Sequence, residues 1–215
     1  MKKNNQKTLW FALCFLAAFA LWTAAVRIVD VGAIGPQGSA VGFSAMNAFF
    51  HRLTGVHLSA YLLTDWLSLI PFGFVAGFAL LGLTQWIQRK SLLKVDFSIL
   101  VLGGFYLVVL ASYTLFEVLI INYRPILIDG VLEASYPSST TMLVLCVMPT
   151  AMMQLRDRIH SASLRRCLLI ALSAFTLFMA VGRLVSGVHW LSDIIGGVLL
   201  SSGLVMLYTF ASKLK

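Results

Sequence analysis

The sequence predicts an all-α, polytopic membrane protein: six transmembrane helices in a bundle, plus a short interfacial helix near 42–54. Three observations predict it. Of the 215 residues, 60% are hydrophobic and 11% charged, whereas soluble domains are roughly 45–50% apolar and about 25% charged. Mean hydropathy is +0.91, which excludes a soluble globular domain and also disorder, since disorder requires low hydrophobicity. Apolar runs near the ~20-residue length of a helical span recur along the chain. That length leaves room for a single membrane domain, 1–215, and for no separate soluble one. Finally, the basic residues sort by side, as counted below.

The first span runs from about Thr8 to Val29, behind a basic prefix of Lys2, Lys3 and Lys7. Its apolar run exceeds the ~7–15 residues of a signal-peptide core, so it is expected to be a retained anchor. Residues 30–64 are glycine-rich and less apolar, an extracytoplasmic segment. In it Phe43, Met46, Phe49, Phe50 and Leu53 recur at helical spacing, as in a helix lying on a membrane surface. The second span covers about Leu67 to Ile87 and stops at Arg89, Lys90 and Lys94. The third covers Phe97 to Asn122, and the fourth begins after Pro137 and ends near Leu155. The fifth covers Cys167 to Leu184 and the sixth Leu191 to Ala211. No strand-like alternation competes with these helices, which argues against a membrane β-barrel. Cys14, Cys146 and Cys167 sit in or beside apolar runs without paired spacing and read as packing residues.

The net charge of +8 is a topology label in so apolar a chain; no nucleic-acid partner is expected. Twelve of the 16 Lys and Arg fall on one side of a six-span fold: Lys2, Lys3, Lys7, Arg89, Lys90, Lys94, Arg156, Arg158, Arg165, Arg166, Lys213 and Lys215. By the positive-inside rule that side is cytoplasmic. Both termini are therefore expected inside a cell membrane. Arg27, Arg52, Arg124 and Arg183 fall outside. Arg27 and Arg52 can snorkel to headgroups. Arg124 and Arg183 end spans three and five, where a charge is expensive, and a shared anionic ligand would account for both.

Three outward segments carry the polar chemistry: Asn122-Tyr123-Arg124-Pro125, Tyr136-Pro137-Ser138-Ser139-Thr140-Thr141, and Gly182 through Asp193. His189 and Asp193 are four apart, which on a helix puts them on one face. A carboxylate beside an imidazole fixes its tautomer and supports a positive or phosphorylated ring, as a histidine nucleophile needs. Arg183 can fork onto phosphate oxygens. Pro137 suits a helix first turn, after which Ser138, Ser139 and Thr140 offer hydroxyls and free N–H groups to an anion; the same groups serve equally as a plain helix cap. With Arg124 added, the set points to phosphoryl transfer through a phosphohistidine.

These segments resemble the type 2 phosphatidic acid phosphatase family, membrane lipid phosphatases related to vanadium haloperoxidases. The family carries Lys-x6-Arg-Pro, Pro-Ser-Gly-His and Ser-Arg-x5-His-x3-Asp. The matching stretches are Glu117-x6-Arg124-Pro125, Pro137-Ser138-Ser139-Thr140 and Gly182-Arg183-x5-His189-x3-Asp193, so the phosphatase-like region is 117–193. The resemblance implies that His189 attacks phosphorus and Asp193 orients and charges it. It implies that Arg124, Arg183, Ser138 and the Ser139 amide hold the phosphate oxygens, facing outward. It implies no cofactor and no metal. The expected partners are a membrane lipid phosphate or diphosphate and the bilayer itself.

The departures bear on substrate. Glu117 replaces the family's Lys, Ser139 its Gly, and Thr140 its second His, the general acid. A phosphate monoester expels an alkoxide whose parent acid has a pKa on the order of 16, so it needs a proton donor. A lipid diphosphate expels a phosphate monoester with a second pKa of about 6, and it does not. The missing acid therefore favours a polyprenyl diphosphate. Glu117 is either a substitute acid, its pKa raised by burial, or a partner of Arg124 or Arg183. Two other readings are a lipid phosphotransferase and a degenerate relative that binds or moves phospholipid. His51, His57 and His160 read as interfacial or solvated polarity, Asp65 as a span boundary, and Met142, Met148, Met152 and Met153 as packing.

Overall fold

The fold is taken from a computed structural model that describes residues 2–214, with side chains from residue 5 onward. Lys215 and the side chains of Lys2 and Lys3, counted above as inward charges, lie outside the described residues. Eight α-helices follow one another: α1 (Lys2–Ile28), α2 (Ser44–Thr54), α3 (Leu58–Leu67), α4 (Leu69–Arg89), α5 (Phe97–Val118), α6 (Ser139–Arg158), α7 (Ala162–Val185) and α8 (Leu191–Ala211). The all-helical, polytopic membrane class holds.

Five stretches of the described residues are long and apolar enough to cross a membrane: Asn5–Ile28, Leu58–Arg89, Phe97–Val118, Ala162–Val185 and Leu191–Ala211. The expected fourth span, α6, is a helix too, but its composition is more polar. The reason is position. α6 lies against α4, α5, α7 and α8 and buries Thr140, Thr141, Thr150 and Gln154 along with its apolar residues. A helix enclosed by other helices needs no apolar shell toward lipid, because its polar groups find partners inside. Thr150 donates to the Cys146 carbonyl at 2.8 Å and Gln154 contacts the Tyr208 hydroxyl.

Two boundaries depart from expectation. The second apolar stretch starts at Leu58, inside the segment expected to be extracytoplasmic up to 64. It is one 32-residue run divided at Ser68 into α3 and α4. Pro71 has no N–H to return to the Leu67 carbonyl, which opens the ladder there. The third stretch ends at Val118 rather than Asn122, since Leu119 leaves helical geometry at φ −90°, ψ 80°. The chain then doubles back through an antiparallel pairing of Tyr123 with Ala134. The helix expected near 42–54 forms at Ser44–Thr54, where the Asp30 carboxylate accepts from the Ala45 N–H at 2.8 Å and the Ser44 hydroxyl at 3.0 Å.

α1 runs antiparallel along α8. Leu16 lies where a side chain on Gly203 would be, and the Trp22 indole donates to the Ser192 carbonyl at 3.1 Å. The connections α4–α5 and α6–α7 lie at the end shared by the termini, tied by Asp96, which meets Arg89 at 2.9 Å and Arg158 at 3.7 Å. The connections α5–α6 and α7–α8 lie at the opposite end, with α2 over them.

Candidate functional site

The site grows from the start of α8. Asp193 is fully buried. Its carboxylate accepts the Trp190 N–H at 2.9 Å and the Asn122 amide at 3.1 Å. A carboxylate in the first turn of a helix closes an open N–H and faces the positive end of the dipole. His189 lies just before α8, so it and Asp193 do not share a helical face as their spacing suggested. The turn of the chain brings them together instead: His189 Nδ1 is 3.9 Å from Asp193 Oδ2. The ring is 3% exposed. The Ser135 carbonyl lies near it, but neither ring nitrogen completes a hydrogen bond. Burial first, then the positive fields of Arg124 and Arg183, holds the imidazole well below its usual range, so at neutral pH the ring is uncharged.

The two arginines converge on one aromatic ring. Arg183 Cζ is 4.9 Å from the Tyr61 centroid, and Arg124 Cζ is 5.9 Å from it, both within cation–π range. Arg183 is 1% exposed and Arg124 9%. Arg124 Nε lies 2.9 Å from the Glu133 carboxylate, without the alignment of a hydrogen bond. Arg124 Nη1 and Arg183 Nε have no partner at all. Ser138 is buried at the head of α6, where its N–H donates to the Asp193 carbonyl at 3.1 Å. A narrow cavity is lined by Glu117, Ser135, Ser139 and His189 among others. Beside it lies an apolar cavity of about 490 Å³ lined by Phe72, Val75, Leu110, Ser139, Thr140 and Leu143 among others.

The segments carrying the predicted set thus meet at one end of the bundle. Asp193 and Ser139 lie beside His189, and the charges of Arg124 and Arg183 act on its ring. Ser138 is tied to the Asp193 carbonyl through its N–H, while its hydroxyl accepts from Thr141. Thr140 lines the apolar cavity instead. Glu117 lines the narrow one, but it does not share a helix with Arg124 as expected: α5 stops one residue after Glu117, and Arg124 follows in the connection. The carboxylate that Arg124 takes is Glu133.

These segments are also what the comparisons pick out. The model of the PAP2 superfamily matches residues 109–214. Through these residues the chain belongs to the PAP2 superfamily. A solved PAP2 protein has a similar fold: the transmembrane PAP2-type phosphatidylglycerolphosphate phosphatase from Bacillus subtilis, 19% identical, with 96% of this chain and 98% of that one covered and a TM-score of 0.58. No curated protein matches the sequence. The PAP2 match leaves residues 1–108 outside it, yet four residues from that part build the site. Tyr61, Thr64 and Asp65 reach Arg183, and Asn47 donates to the Ser192 hydroxyl at 2.9 Å. Asp65 is more than a span boundary: it lies near the start of the 58–89 run, 3.6 Å from Arg183. His51 is not merely interfacial either, with Nε2 3.2 Å from the Gly187 carbonyl. An acid inside an apolar run was the signal available for Asp65, and Asn47 on an otherwise apolar helical pattern was the signal for α2. Nothing local marked Tyr61.

Proposed function

We propose that this PAP2 protein is an integral membrane lipid phosphatase that acts through a phosphohistidine at His189. The observation that carries this reading is an uncharged, unpartnered imidazole with a carboxylate behind Nδ1 and two buried arginines with unused N–H groups beside it. The Asp193 carboxylate 3.9 Å behind Nδ1 favours the proton on that nitrogen by its charge, leaving the Nε2 lone pair for phosphorus. As the Nε2–P bond forms, the P–O bond to the leaving group breaks and that oxygen keeps the electron pair. Arg124, Arg183 and the first amides of α6 stabilise the charge on the transferring oxygens. Water then attacks phosphorus, the P–N pair returns to the ring, and both water protons leave on dihydrogen phosphate. No metal is required for these steps.

The favoured substrate is a polyprenyl diphosphate, presented from the outer side of a cell membrane with both termini inside. Three features support it. The apolar cavity meets the narrow one at Ser139, so a lipid chain and its head group have adjoining places. Thr140, which stands at the sequence position of the family's second His, faces that apolar cavity and offers a weakly acidic hydroxyl in place of an imidazolium. Glu117 is the one carboxylate at the narrow cavity and is the candidate proton donor for slower monoester hydrolysis. The test is phosphate release from polyprenyl diphosphate and from phosphatidate by the purified protein and by His189→Ala. The diphosphate is expected to turn over faster, with a trapped phosphoenzyme absent from His189→Ala. Faster phosphatidate turnover would overturn the substrate. Equal rates in both proteins would leave a lipid-binding relative, and appearance of phosphate on a lipid acceptor would indicate a phosphotransferase.

A further inference from the structure

Arg183 is unequally served by its neighbours. Its guanidinium is 1% exposed, yet its contacts are long: 3.3 Å to the Thr64 hydroxyl, 3.5 Å to the Tyr61 carbonyl and 3.6 Å from Nη2 to the Asp65 carboxylate. Nε has no partner. The Asp65 side chain is 55% exposed, so the pair joins a buried cation to a carboxylate that reaches in from the rim. Withdrawal into water restores the hydration of the carboxylate, while the arginine has no such option. All three contacts come from one face of α3, which lies outside the stretch matched by the PAP2 family.

We infer that Asp65 competes with the phosphate of the substrate for Arg183 and thereby limits how tightly the site holds anions. This rests on the proposed function only in taking Arg183 as a phosphate ligand. A phosphate offers three strong acceptor oxygens and up to two charges. It can satisfy Nε and Nη2 together in the bidentate geometry that guanidinium favours, which a single carboxylate oxygen at 3.6 Å does not. Asp65 therefore neutralises the cation and is displaced by a better anion. The same competition acts on release: when the product phosphate leaves, the carboxylate takes back Nη2. The recognised chemistry is a phosphate group, whether on a lipid or free.

The experiment compares the full chain with Asp65→Asn and Asp65→Ser, each also in a His189→Ala background. Binding of inorganic phosphate is measured by titration calorimetry, and KM and kcat are measured on a lipid diphosphate. Asp129→Asn, an acid in the exposed turn near Ile128, controls for general charge. Both Asp65 variants are expected to bind inorganic phosphate about threefold or more tightly, the scale of a partly exposed ion pair, and to lower KM for the lipid by a similar factor. The gain in phosphate affinity persists without His189, and Asp129→Asn shows none. Unchanged or weaker phosphate binding in both Asp65 variants overturns the inference, and so does no measurable phosphate binding in any variant. Tighter binding with no lipid hydrolysis by the wild-type chain sinks the phosphatase reading and leaves Asp65 in its role. Hydrolysis that needs His189, with phosphate affinity indifferent to Asp65, does the reverse.

Discussion

At the scale of single residues, the proposed chemistry depends on an imidazole kept neutral by its surroundings. With the uncharged ring as the proposed nucleophile, activity is expected to fall as pH drops through the His189 pKa. Burial and the two arginines hold that pKa well below its usual range. The acid limb of kcat/KM is therefore expected below the ordinary imidazole value of about 6.5. Replacing Arg124 by Gln removes one positive charge, raises the pKa and moves the limb toward neutral pH, while lowering the maximal rate. A pH–rate profile of both proteins checks this, and a limb that stays in place would remove Arg124 from the field at His189. Asn122 is a second test. Its amide holds Asp193 at 3.1 Å in a fully buried setting, and loss of one buried partner of a charged group costs about 1–3 kcal/mol or more. Asn122→Ala is expected to lose on the order of tenfold or more in kcat with KM little changed. Tyr61 separates ring from hydroxyl: Tyr61→Phe keeps the face shared by both arginines and should keep activity, whereas Tyr61→Leu should raise KM severalfold.

At the scale of elements, the loop between α7 and α8 is fixed by a close backbone approach. Gly187 has φ +69°, a region that favours glycine, and a Cβ there would stand 2.0 Å from the Gly55 carbonyl oxygen. His57 N–H donates to the Ser186 carbonyl at 3.0 Å across the same contact. Gly187→Ala should push the loop off its seat, displace His189 and abolish turnover. Gly77→Ala, in α4 with open space around it, should leave rate and stability unchanged or slightly improved. Assays of both at equal expression decide the matter. What was legible in the sequence follows the same line. α1, α4, α5, α7 and α8 announced themselves by apolar length, and α8 lies at its expected residues because Trp190, Asp193 and the apolar run mark its start. The motif residues were legible as types at fixed spacing. The break at Ser68 was passed over although Pro71 marks it locally, whereas the end of α5 and the place of α3 depend on partners distant in sequence. Asp65 meets Arg183 from 118 positions away in the sequence, and no local spacing encodes that contact.

At the scale of the whole molecule, polarity is arranged end to end. Arg124 and Arg183 lie at one end and the connections that carry Arg89, Arg158 and Arg165 at the other. The charge bias predicts that the second end is cytoplasmic. In a cysteine-free variant, Val131→Cys should react with an impermeant maleimide from outside intact cells and His160→Cys only after permeabilisation; the opposite pattern would invert the topology. The common feature across the bundle is enclosure: α6 is polar because the other helices spare it from lipid, and His189 and Arg183 are buried because α2 and α3 cover what the motif helices leave open.

The pairing of α1 with α8 has a consequence in time. α1 is made well before α8 and rests on it, with Leu16 filling the space at Gly203 and the Trp22 indole donating to the Ser192 carbonyl at 3.1 Å. Between the end of α1 at Ile28 and the start of α8 at Leu191 lie about 160 residues, roughly 8 to 30 seconds of translation at ordinary rates. Throughout that interval α1 waits in the bilayer without its mate, and α8 must emerge before the end that carries the candidate site can close. Biogenesis of this protein is thus a problem of storage, and a nascent chain that stops short of α8 should be found inserted, inactive and open to proteolysis.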